Sequence, residues 1–89
     1  MGKFYVGIIE VIPEGIDADF NKIVEELKKR LPEDASLVKY DQIPIAFGLE
    51  KLRVQVKFPE EMGSADSIEE DWVQIEGIQR VETILISKA

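Results

Sequence analysis

Histidine and cysteine, the side chains that most often activate a nucleophile or hold zinc, are both absent from the 89 residues. That removes imidazole bases, thiolate chemistry and disulfides together. Ser36, Ser64, Ser67 and Ser87 have no histidine to take a hydroxyl proton. The carboxylate runs Glu60-Glu61 and Glu69-Glu70-Asp71 lack the alternating spacing and turn glycine of a calcium loop. No catalytic residue, metal or cofactor is assigned. What remains is the chemistry of contact. Phe47 lies between Ala46 and Gly48, where a hairpin loop is normally polar. It either folds back as a small lid over the end of a sheet or projects as an aromatic anchor of the kind that forms interface hot spots. Gly48 would supply the backbone freedom that presents it. Lys51, Arg53 and Lys57 alternate along one strand face and Lys88 is the penultimate residue; solvated surface is the plain reading of all four. Trp72 and Met62 read as core or core rim.

The length supports one domain, residues 1–89. A chain of this size buries roughly 60–65% of its unfolded surface, enough for one thin core. Apolar residues make up 45%, which suits a globular protein rather than a disordered one. No apolar run approaches the roughly 20 residues of a membrane span. The opening Met1-Gly2-Lys3-Phe4-Tyr5-Val6 enters a strand pattern directly, without a signal peptide's separate apolar stretch, so the cytoplasm is expected. The net charge of −7 opposes nucleic-acid binding, which draws its affinity from neutralising phosphates. It reads either as solubility or as complementarity to a basic partner surface.

Behind these residues lie six elements. Lys3 to Ile12 is β-branched and aromatic, with apolar side chains on both faces, as in a central strand covered at least in part on each side. Pro13-Glu14-Gly15 ends it. Asp17 is placed to cap a helix, with Asp19 in its first turn. Phe20, Ile23, Val24, Leu27 and Leu31 form an apolar stripe at helical period. Lys28, Lys29 and Arg30 occupy the last turn and Pro32 stops it. Ser36 to Ile45 contains Pro44, which cannot donate to a ladder, so it should be an edge strand ending there. From Leu49 to Phe58, Leu52, Val54, Val56 and Phe58 share one face. Ser64 is placed to cap a second helix with Ala65, Ile68 and Trp72 inward, and Gly77 to end it at C′. Arg80 to Lys88 is the last strand.

The order β-α-β-β-α-β with right-handed crossovers predicts an α+β, ferredoxin-like sandwich. A four-stranded antiparallel sheet, order 4-1-3-2, would carry both helices on one face. Strands 1 and 3 are expected to run parallel and strand 4 antiparallel to strand 1, so Lys3, Phe47 and Lys88 should share one end of the sheet.

The segment Ile43-Pro44-Ile45-Ala46-Phe47-Gly48-Leu49 resembles translation elongation factor 1-beta in its compact archaeal form. The likeness runs along the whole chain: the opening strand, Leu-Pro-Glu-Asp-Ala after helix 1, the Glu76-Gly77-Ile78 turn and a last strand ending near a lysine. It implies guanine-nucleotide exchange on the GTPase elongation factor 1-alpha, by a protein that makes no bonds of its own and is a monomer when free. By the family pattern Phe47 enters a pocket on the GTPase, and Lys88 reaches toward the magnesium and nucleotide phosphates. Pro44, Ile45, Ala46, Gly48 and Lys51 complete the expected partner-binding set. Eukaryotic relatives commonly carry glycine where Ala46 stands and a basic residue where Glu50 stands.

Three other readings of the same fold compete. One is a small-molecule-sensing regulatory module that oligomerises through its sheet edges, although no ligand cleft is recognisable in the sequence. An RNA-recognition domain would need exposed aromatics on strands 1 and 3, and strand 3 offers charge without them. An acylphosphatase would need a phosphate-cradling loop after strand 1, where Pro13-Glu14-Gly15 is acidic.

Overall fold

The β-branched, aromatic run Phe4–Pro13 forms β1 and lies in the interior of the sheet. In a computed structural model, which describes residues 3–15, 19–62 and 65–88, it is followed by α1 (Phe20–Arg30), β2 (Ser36–Pro44) and β3 (Glu50–Pro59). A single 3-10 turn at Glu60–Met62, α2 (Asp66–Trp72) and β4 (Ile78–Lys88) complete the chain. The sheet order β2-β3-β1-β4 is the order expected, and the fold is ferredoxin-like.

Asp19, not Asp17, caps α1: its carboxylate accepts from the Asn21 and Lys22 N–H groups at 3.1 and 3.4 Å. Asp17 lies outside the described residues, and so does Ser64, the expected cap of α2. The cap position of α2 is Ala65, which offers no side-chain acceptor. That helix ends at Trp72, several residues before Gly77. Gly77 instead takes φ +92° in the turn into β4, a conformation its missing Cβ permits. Arg30 reaches across from α1 to the Asp71 carboxylate at 3.1 Å and ties the two helices together.

One core holds everything. Ile23, Val24 and Leu27 of α1 meet Ile68 and Trp72 of α2 over Val11, Val54 and Phe58 of the sheet. Both helices therefore cover one sheet face. The other face has no cover from the described residues, so the expectation that β1 is covered on both sides is met on one side only.

The strand directions also differ from expectation. β1 is antiparallel to β3, pairing Phe4 with Pro59 and Val11 with Leu52, and antiparallel to β4 as well. The reason is connectivity. Each crossover helix joins parallel strands, β1 to β2 and β3 to β4. The hairpin then reverses β3 against β2, so β3, inserted between β1 and β2, must oppose both.

Candidate functional site

Pro44 ends β2 opposite Glu50, and the chain must reverse within the next five residues. Leu49 N–H donates to the Ala46 carbonyl at 2.9 Å and Ile45 N–H to the Leu49 carbonyl at 2.8 Å. Ile45 and Ala46 thus face Leu49 alone, a bulge beside a two-residue tip. At that tip Phe47 has φ +53° and Gly48 φ +82°. Positive φ at both central residues is the requirement of a type I′ turn, usually met by Asn-Gly or Gly-Gly. Glycine takes it without cost. Phenylalanine does not, and a side chain in this region costs about 1–2 kcal/mol. The strained ring is 98% exposed. It projects into solvent and does not fold back as a lid. Ile45 beside it is half exposed, and Pro44 and Ala46 are exposed too.

Lys88 ends β4 opposite Tyr5, which in turn faces Phe58. Phe58 lies eight residues along β3 from Glu50, about 26 Å at the usual rise. Phe47 lies beyond Glu50. The hairpin and Lys88 therefore occupy opposite ends of a molecule 45 Å long, and the expected shared edge is overturned. It depended on β1 and β3 being parallel. Lys3, next to the start of β1, does share Lys88's end. Beside Lys88 stand Ile84, Leu85 and Ile86, with Ile84 and Leu85 more than half exposed. Both ends thus carry exposed apolar side chains.

Lys51 is less free than a partner-binding lysine would be. Its Nζ lies 3.1 Å from the Glu10 carboxylate, which Arg53 also grips through Nε at 3.1 Å and Nη2 at 2.8 Å. Glu10 is buried on the helix-free side of β1. Burial alone pushes its carboxyl up; the hydrogen bonds from Arg53 and Lys51, with their charges, outweigh that and hold it below the ordinary carboxylate value. Sequence reasoning missed Glu10. A carboxylate inside the apolar run Val6 to Ile12 was the available signal.

A cleft of about 660 Å³ runs between α1 and the turn before β4, lined by Asp19, Glu25, Glu26 and Glu76 among others. Lys22 and Arg30 also line it, beside Ile23 and Ile75, so its charged rim mixes both signs. No cluster among the described residues is placed to hold a metal. No helix there is long and apolar enough to cross a membrane.

Fold and site together define a small ferredoxin-like module with an aromatic thrust outward on a strained turn, suited to engaging another protein. Residues 6–88 match the EF-1 guanine nucleotide exchange domain. Elongation factor 1-beta of Metallosphaera sedula is 40% identical to this chain over 91% of it and 90% of that protein. The corresponding factor of Methanothermobacter thermautotrophicus is 39% identical over 86% of each, and that of Ignicoccus hospitalis is 38% identical over 84% of this chain and 81% of that protein. The chain belongs to the EF-1 guanine nucleotide exchange domain family.

Proposed function

We propose that the chain, as one exchange domain over residues 1–89, promotes replacement of GDP by GTP on elongation factor 1-alpha in the cytoplasm, acting as a monomer. The observation that carries this is Phe47. A large apolar ring held almost fully in solvent, on a backbone conformation it disfavours, is uneconomical for the free protein and useful only against a partner.

Exchange needs no bond making by this protein. A factor that binds the empty GTPase more tightly than its GDP form weakens GDP by the same ratio. A thousandfold effect corresponds to about 4 kcal/mol. Phe47 in a pocket that opens in the empty state would contribute roughly 1.5–3 kcal/mol. A lysine ammonium about 4 Å from a magnesium ion at an effective dielectric near 20 is repelled by several kcal/mol. That is the proposed part of Lys88. With the two residues at opposite ends, they must meet separate places on the GTPase. Pro44, Ile45, Ala46 and Gly48 shape the Phe47 contact. Lys51, tied to Glu10, steadies the base of the hairpin as well as facing the partner.

The test is release of fluorescent GDP from elongation factor 1-alpha. The intact protein accelerates it, Phe47→Ala lowers kcat/KM roughly 10- to 100-fold, and Lys88→Ala slows the plateau rate. An intact protein that leaves release at its spontaneous rate overturns the reading.

A further inference from the structure

We infer that Glu10 is a positioning residue for exchange: its carboxylate, acting through Lys51, fixes the direction in which the hairpin presents Phe47. This deepens the exchange reading above and rests on it. The ladder between β1 and β3 ends at Val11 opposite Leu52. The ladder between β2 and β3 runs on, through Ile43 opposite Lys51 to Pro44 opposite Glu50. From Lys51 to the tip, β3 therefore has only β2 beside it among the described residues, and residues 43–51 overhang the sheet as a two-stranded ribbon. Such a ribbon alone is marginal in water. This one also carries the unfavourable φ of Phe47 at its end.

Lys51 is where the overhang begins, and its side chain reaches back. Glu10 stands opposite Arg53 in the ladder, so Lys51 is its diagonal neighbour, two residues nearer the tip. The Lys51 Nζ lies 3.1 Å from each Glu10 carboxylate oxygen. Arg53 holds Oε2 from within the paired part of β3, through Nε and Nη2. Across the other ladder of β1, the residue opposite Glu10 is Glu82, a like charge that pairs with Arg80 at 3.1 Å. Both cations bonded to Glu10 thus come from β3, and the carboxylate ties the root of the overhang to the interior of the sheet. Its burial matters. A charge-assisted bond shielded from water holds one geometry more firmly than an exposed pair does.

Without the tie, Arg53 stays in the paired sheet while the ribbon beyond it is free to swing. Phe47 then points the right way for only a fraction of the time, and half-saturation of the GTPase rises by the reciprocal of that fraction. The plateau, reached once the partner is bound, stays the same.

The experiment measures amide order parameters of the free full chain by NMR relaxation and, with elongation factor 1-alpha carrying fluorescent GDP, half-saturation and plateau of release. In Glu10→Gln the order parameters of Ala46, Phe47 and Gly48 fall from about 0.85 to below about 0.6 while those of α1 hold. Half-saturation rises about three- to tenfold at an unchanged plateau. Lys51→Met, which leaves Glu10 its Arg53 partner and strands no buried charge, gives the same pattern. The two changes together do little more than either alone, since Lys51 acts through Glu10. Gly7→Ala, a core substitution that also destabilises, leaves half-saturation within about twofold, which separates positioning from stability. Hairpin amides as rigid in Glu10→Gln as in the intact chain overturn the inference. So does an unchanged half-saturation, a change confined to the plateau, or full additivity of the two substitutions. An intact protein that leaves release at its spontaneous rate removes the exchange reading instead; loosened hairpin amides in both variants then still uphold Glu10 as the residue that orients Phe47.

Discussion

Phe47 holds two costs at one position, a disfavoured backbone and an unburied ring. Asparagine tolerates positive φ well, so Phe47→Asn is expected to raise stability by about 1 kcal/mol in denaturant melts while abolishing most of the stimulated exchange. Stability and activity moving in opposite directions would separate a partner-directed residue from a structural one. Glu10 behaves in the reverse sense. Its side chain is 7% exposed and its two cationic partners are more accessible. Glu10→Gln should cost about 1.5–3 kcal/mol at pH 7, the range for hydrogen bonds to charged groups. Because the folded carboxyl titrates below its unfolded value, this stabilisation is complete above the unfolded pKa and fades as pH falls through the folded one. The gap between the two proteins should close below about pH 4, followed by thermal melts across pH.

Within the elements, β1 pairs on both sides, as β3 does, and packs one face into the core. Gly7 occupies that face, where an added Cβ would stand 3.1 Å from Phe58 Cε1. Phe58 is fully buried and meets Tyr5 edge-on at 5.9 Å, so its ring has little room to yield. Gly7→Ala is expected to cost about 1–3 kcal/mol by overpacking, read from the chemical-denaturation midpoint. On α2, Trp72 fills the core but its Nε1 finds no acceptor among the described residues. The helical stripes, the edge position of β2 and the alternation of β3 were all legible, because each is a local period set by which side chains avoid water. The helix boundaries near Asp17 and Gly77 were not, since Asp19 and the Trp72–Gly77 turn satisfy the same local rules equally well.

For the whole molecule, the separation of Phe47 and Lys88 makes its own prediction. Sites this far apart with no shared neighbours contribute independently, so the losses in kcat/KM from Phe47→Ala and Lys88→Ala should add within about 0.5 kcal/mol in the double variant. Strong non-additivity in the GDP-release assay would mean that the two act at one place on the GTPase.

Composition and period by themselves determined the element order, the ferredoxin-like topology and the exposed-aromatic candidate, because burial patterns and turn chemistry are written locally. They also marked β1 as apolar on both faces. The tertiary structure corrected the direction of β3 against β1, which the crossovers and the hairpin together already required, and so placed Phe47 and Lys88 at opposite poles. Only it exposed the strain at Phe47, the grip of Lys51 and Arg53 on Glu10, and the uncovered second face of β1. Strand direction across a sheet is fixed by how crossovers and hairpins close in space, and no side-chain period records that.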